Sequence, residues 1–246
     1  MFHHIIRITA IVACSAALAW ADEKSDIQSA VGKLAASDSY SWTTTVTTDH
    51  LTTTIEGKTQ AGLTADVITY HDTHWSAFVK GDKIIIQASG SWMSAADIIN
   101  AFPPTQRNPD GAAANAMRDF KLPATVAADM LTDARKLQLA DGGYSADLAE
   151  AAVKEVLFTS RVYNLDRSAL PDITDCAGTV RFWVSDGLVT KYEVHATGMV
   201  SFNNGRARPE DRTVVTEIGD VNVTSVDIPA DAMTILNAPT TQQVGQ

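Results

Sequence analysis

Apolar and polar positions alternate with a period of two along two C-terminal runs, 179–195 and 213–229. In the first, Val180, Phe182 and Val184 alternate with Thr179, Arg181, Trp183 and Ser185. That spacing predicts a strand with one greasy face and one mixed face. Phe182 is therefore expected to point inward and Trp183 outward. Asp186-Gly187 can supply the positive φ angles of a two-residue type I′ turn, which fixes hairpin register. Strands are predicted over 180–185, 189–197, 199–202, 214–218 and 221–228, with Asn203 to Pro209 as a long hairpin loop.

Toward the N-terminus the period changes. Ile27, Ala30, Val31 and Leu34 fall at helical spacing behind Ser25-Asp-Ile-Gln28, a capping-box pattern, so 25–36 is expected to be a short amphipathic helix. From Tyr40 to Thr54 the chain is rich in Thr, Trp, Tyr and Val, which suit a pleated surface. Tyr40, Trp42, Thr44 and Val46 share one face there. Gly57 and Gly62 punctuate strands around Ile55 and 65–70. A hairpin is expected from 75–79 and 83–88 around Lys80-Gly81-Asp82, ending at Gly90 and Trp92. Ser94-Ala-Ala-Asp97 reads as a helix start, and Pro103-Pro104 and Asn108-Pro-Asp-Gly111 as loop.

Residues 112–158 hold many Ala, Leu and Met residues and few β-branched runs. Three helices are predicted: 112–121, a second from Pro123 to about Leu137, and a third over 145–158, with Gly142-Gly143 as the break. Glu150 and Lys154 stand four apart in the favourable order. A short helix is expected over 229–236. There is no internal repeat and no linker. The order of elements predicts an α+β fold, a curved antiparallel sheet with helices packed on one face, in one domain spanning 22–237 with a frayed tail at 238–246.

The first residues change the picture of where this domain works. One cation, Arg7, precedes an uncharged and mostly apolar run from Ile8 to Trp20. Ala19-Trp20-Ala21 fits the small-x-small cleavage rule, and Asp22-Glu23-Lys24 follows, so 1–21 reads as a secretory signal peptide. The run is too short to span a bilayer, and an integral membrane protein is not expected. Ile11-Val12-Ala13-Cys14 also fits a lipobox, with Cys14 as the lipidated residue. The apolar run continues past Cys14, which favours cleavage after Ala21 and a soluble periplasmic protein over one anchored through Cys14. Removal of Arg7 takes the net charge from −10 to −11. An acidic surface argues against nucleic acid and anionic head groups. Cys176 is then alone, cannot form an internal disulfide, and is expected to be a small buried hydrophobe.

The strand ending in Phe-Trp-Val, the Asp186-Gly187 turn, the Leu-Val-Thr-Lys-Tyr-Glu strand, the long hairpin and the Val-Asp-Ile-Pro ending before a terminal helix form a familiar series. It resembles the periplasmic lipoprotein-carrier superfamily, which includes the LolA-like outer-membrane lipoprotein carriers and the LppX-type lipid-binding lipoproteins of mycobacteria. The match covers residues 25–236 in element order and is sharper over 178–236. The resemblance implies an open β half-barrel with helices lying in its concavity. It also implies binding or shuttling of a lipid or lipoprotein acyl chain without catalysis, metal or nucleotide. The carriers' functional arginine on an early strand has no counterpart in Tyr40–Thr54, which favours generic lipid binding over lipoprotein carriage.

The candidate chemistry is sparse. His71 and His74 are three apart, so on one strand they face opposite ways and do not meet a common ion without a turn and a third ligand such as His50 or His195. There is no Gly-x-Ser-x-Gly, and Cys176 has no His partner in sequence. No catalytic residue, metal ligand or cofactor is assigned, and an enzyme is not expected. The candidate ligand-binding residues are Trp42, Val46, Phe78, Phe182 and Val184 on strands, with Ile98, Met117, Phe120 and Met130 on predicted helices. These either fill a core or line a slot for an acyl chain; both need the same apolar faces. The expected partners are lipid or lipoprotein acyl chains. The alternative is an envelope interaction or regulatory module with a filled core and a protein partner.

Overall fold

The computed structural model describes residues 12–49, 51–70, 72–102, 108–159, 172–201 and 206–238, with side chains from Lys24 onward except Tyr70 and Thr159. Helix α1 (Val12–Ala35) leads into five successive antiparallel strands. These are β1 (Ser39–Thr48), β2 (Leu51–Gln60), β3 (Leu63–Tyr70), β4 (Thr73–Lys80) and β5 (Lys83–Ala88), followed by a short β6 (Ser91–Ser94). Three helices come next: α2 (Ala95–Ala101), α3 (Pro109–Arg118) and α4 (Pro123–Asp133). A hairpin of β7 (Ala134–Ala140) and β8 (Gly143–Leu148), then α5 (Glu150–Thr159), precede the long strands β9 (Asp172–Ser185), β10 (Leu188–Ser201) and β11 (Ala207–Gly219). Helix α6 (Ala230–Asn237) closes the described chain.

All eleven strands form one open antiparallel sheet in the order β6-β5-β4-β3-β2-β1-β11-β10-β9-β8-β7. The chain's two meanders are joined where β1 pairs with β11, with Trp42 opposite Ile218 and Val46 opposite Val214. This is the α+β, open curved sheet expected from the sequence. Alternation decides its two faces. The inner face carries Trp42, Ala146, Val180, Phe182, Tyr192 and Val194, packed against Ile27, Val31 and Leu34 of α1 and against α4 and α5. Farther along the same face, Ile68, Trp75, Ala77 and Ile86 pack under α2 and α3. Phe182 is fully buried, and Trp183 lies on the opposite face with the cations of Arg181 and Lys191 each 5.1 Å from its ring centroid.

Several elements depart from expectation for identifiable reasons. Residues 134–148 are a hairpin, not the end of one helix and the start of another. Asp141 and Gly142 take φ angles of 50° and 75°, which is type I′ turn geometry and returns the chain on itself. β8 then pairs with β9 and extends the sheet. The predicted strand over 221–228 is instead a turn followed by extended chain outside the sheet. β11 already has β1 and β10 on its two sides, and Thr224 Oγ1 donates to the carbonyl of Asp220 to close the turn. Ser25 lies within a continuous α1 and caps nothing. The predicted strands at 189–197 and 199–202 are one strand with a register shift near Gly198. Gly57 is interior to β2, not a strand end. Helix α6 packs on the outer face, over Phe78 and Ile85, so the helices are not all on one side.

Candidate functional site

Three depressions among the described residues differ in their lining. One of about 630 Å³ between β5, α2 and α6 is lined in part by Asp82, Lys83, Asp97 and Arg118. One of about 710 Å³ beside the 225–227 segment is lined by Glu56, Lys58, Glu217 and Asp227 among others. Both carry several charges. The third, of about 250 Å³, lies between the inner face and the helices, and among its lining residues none is charged. The lining is apolar with few polar groups, a composition that small-molecule pockets share with packed cores.

Its floor is built by alternation on neighbouring strands. Val46 of β1, Thr53 and Ile55 of β2, and Ile68 of β3 continue to Trp75 of β4 on one side. Val214 of β11, with Val194 and Tyr192 of β10, form the other side. The roof is Ala113 and Ala116 of α3, Val126 and Met130 of α4, and Val156 of α5. The slot exists because α3 presents methyl groups where longer side chains would fill the gap. Asn108 caps α3, its Oδ1 accepting from the amides of Asp110 and Gly111, and Pro109 opens the first turn. Asp110 then accepts the indole N–H of Trp75 at 2.9 Å, which ties the start of α3 to the floor.

Tyr192 on the floor is held by a short chain of hydroxyls. The Tyr192 hydroxyl bonds to Thr216, and burial raises its pKa further above the ordinary phenol value. Thr216 in turn shares a 2.9 Å hydrogen bond with Thr44. Arg212, two residues from Val214 on the same face, is 3% exposed. Its Nη1 donates to the carbonyls of Val156 and Leu157 at 2.6 and 2.7 Å. A buried guanidinium thus holds the last part of α5, including cavity-lining Val156, down on the sheet, with the cation placed favourably for a helix C-terminus.

Asp66 is different. It sits in the middle of β3 on the inner face, 1% exposed, and among the described residues neither carboxyl oxygen has a hydrogen-bond partner. Burial pushes its pKa from 3.8 up to about 8. Gly57 lies directly opposite on β2, where a side chain would collide with the Trp42 indole and with Oδ1 of Asp66.

Of the nine residues expected to bind ligand, Val46 and Met130 line the cavity. Phe182 is buried with its ring 6.5 Å from that of Tyr192, and Val184 packs on the same cluster. Trp42 and Phe120 stack with centroids 6.4 Å apart, where Phe120 follows the end of α3 and bridges the two inner-face clusters. Met117 and Ile98 are buried in the second of these clusters. Phe78 is on the outer face beneath α6 and is not brought to the slot. Sequence reasoning missed the small residues of α3 and the two ionisable side chains, Asp66 and Arg212. Alternation offered a signal for both, since they share faces with Ile68 and Val214.

The histidines make local contacts. His74 Nδ1 lies 2.9 Å from Thr69 Oγ1, and His195 Nε2 lies 2.9 Å from Asp211. His50 and His71 lie outside the described residues. Among the described residues no three His, Cys, Asp or Glu side chains gather to hold a metal ion, and no helix is long and apolar enough to cross a membrane. Cys176 is partly buried, and burial raises its thiol pKa above the ordinary value.

No known family's sequence profile matches the chain, and no curated protein matches it in sequence. Among solved structures it is similar to the lipoprotein LppX of Mycobacterium tuberculosis, with 11% identity, a TM-score of 0.45, and coverage of 85% of this chain and 99% of that one. It is also similar to LprF from Mycobacterium bovis, with 10% identity, a TM-score of 0.44, and coverage of 86% and 98%. LppX exemplifies the lipoprotein type that the C-terminal strands resemble. At these values the likeness carries no functional weight.

Proposed function

We propose that this protein is an exported, non-catalytic lipid binder that holds an acyl chain in the slot between the inner face and helices α3, α4 and α5. The observation that carries this reading is the uncharged lining of that 250 Å³ cavity in a chain of net charge −10. Ligand pockets usually run from ~300 to 1,000 Å³, so a slot this small favours a narrow, flexible chain over a ring system. Met130 on the roof suits such a ligand, because an unbranched thioether side chain adapts its shape. The slot between floor and α5 is held by Arg212 rather than by an arginine on an early strand. That departure supports lipid binding in general over the carriage of whole lipoproteins.

Residues 1–21 act as the export signal, and the mature domain is 22–237. Among the described side chains of α1, which begin at Lys24, the buried ones run from Ile27 to Leu34 and belong to the mature domain under this reading. Cleavage after Ala21 places Asp22 and Glu23 in the first turn of the remaining helix, where negative charge is favoured. The binding test is titration with a fluorescent fatty acid. Wild type is expected to bind, and Met130→Trp, which fills the slot from the roof, to lose binding while keeping its circular dichroism and unfolding midpoint. Equal binding by both proteins would place the ligand elsewhere. Intact mass of the exported protein tests the cut: a chain beginning at Asp22 is expected, and one beginning at an acylated Cys14 would replace the soluble form with a tethered one.

A further inference from the structure

We propose that Asp66 is the polar anchor of the slot, and that the ligand it receives is a neutral amphiphile whose head group is a hydroxyl. This rests on the slot being a lipid site and adds the chemistry of the head. Asp66 stands two residues from Ile68 on one face of β3, and its partner Gly57 stands two from Ile55 on β2. Ile68 and Ile55 both line the cavity. Two residues of strand span ~7 Å, so the carboxyl lies one short step beyond the cavity floor.

None of its described neighbours accounts for a carboxyl there. Its partners across the sheet are Gly57 and Ala77, and Trp42 reaches over Gly57 toward it. An apolar side chain would satisfy every one of those neighbours. Buried polar groups in proteins are nearly always hydrogen-bonded, and one left without a partner is costly. No charged group contributes to its titration; desolvation alone raises its pKa, so at neutral pH it is a protonated acid. A protonated carboxyl offers one O–H donor and a carbonyl acceptor.

That pair of functions selects the head group. A hydroxyl accepts from the acid O–H and donates to its carbonyl oxygen, so both groups are satisfied by one contact. An ammonium brings three N–H donors, and the uncharged lining could not satisfy those that the carboxyl leaves over. An ether or ester accepts but leaves the carbonyl oxygen of Asp66 unpaired.

The test uses displacement of the fluorescent fatty acid by lauryl alcohol, lauryl methyl ether and laurylamine at pH 7, in wild type, Asp66→Leu and Asp66→Asn. Wild type should bind the alcohol about tenfold more tightly than the ether, the effect of one buried hydrogen-bonding pair. Asp66→Leu should lose the preference, while a wild-type circular dichroism spectrum and retained binding of the fluorescent fatty acid show that the variant folds with its slot intact. Asp66→Asn keeps a donor and an acceptor and should retain the preference. Equal binding of alcohol and ether by wild type, or a preference that survives Asp66→Leu, overturns the anchor while leaving the slot standing. Laurylamine binding more tightly than the alcohol overturns the choice of hydroxyl. Failure of every chain probe to bind wild type removes the slot reading, and the anchor with it.

Discussion

Asp66→Asn should abolish a pH dependence of stability that one buried carboxyl imposes on the whole domain. In the folded protein its pKa is about 8, against 3.8 for the unperturbed group. The folded-state value is raised, so its stability contribution is fully present below pH 3.8 and is lost as pH rises toward 8. Unfolding releases the carboxyl to water, where it ionises, and each pH unit between those limits then favours the unfolded state by ~1.4 kcal/mol. Between pH 5 and pH 8 the loss from this residue is about 3–4 kcal/mol, a large share of the ~5–15 kcal/mol that stabilises a typical domain. The assay is urea unfolding at both pH values for wild type and Asp66→Asn. Other titrating groups are common to the two proteins and cancel in the comparison. Wild type should lose several kcal/mol more than the variant between pH 5 and pH 8. Parallel pH profiles would refute the reasoning, because they would mean that the carboxyl is hydrated or paired in the folded state.

Phe182→Ala should destabilise the domain by about 3–5 kcal/mol, since its ring is fully buried against the α1 cluster; a loss below 1 kcal/mol by urea unfolding would place the ring in a fluid or open site. Arg212→Met keeps the apolar stem but removes the donors to Val156 and Leu157, so hydrogen exchange in 150–159 should quicken by roughly tenfold or more while the sheet amides hold; unchanged exchange would mean that α5 is held by packing alone.

The strands from 180 to 197 were readable because alternation, β-branched residues and Asp186-Gly187 all agree. The 134–148 hairpin was not, because Ala134 to Ala140 carries Leu137 and Leu139 among helix-forming residues, and only pairing with β9 decides between the two states. Its turn, Asp141-Gly142, overlaps the pair Gly142-Gly143, which by composition reads equally well as a helix break. At 221–228 the alternation Val221, Val223, then Val226 and Ile228 suggested a strand. A period of two does not reveal that both edges of β11 are already taken. The slot was half legible. Val46 and Met130 are large apolar residues on the right faces, whereas Ala113 and Ala116 matter for the space they leave, and a void has no residue-type signal of its own. Asp66 could have been found by noting that it shares the face of Ile68. Phe78 was placed in the slot because sequence does not say which side of β4 faces the helices, and α6 supplied a second apolar face that no pattern announced.

Native mass spectrometry of the protein purified from an envelope fraction, without detergent, tests the central claim most directly. One lipid bound per chain, released on unfolding and absent from Met130→Trp, is the predicted result. A spectrum of bare protein that also takes up no added fatty acid would contradict lipid binding and leave the inner face as a filled core.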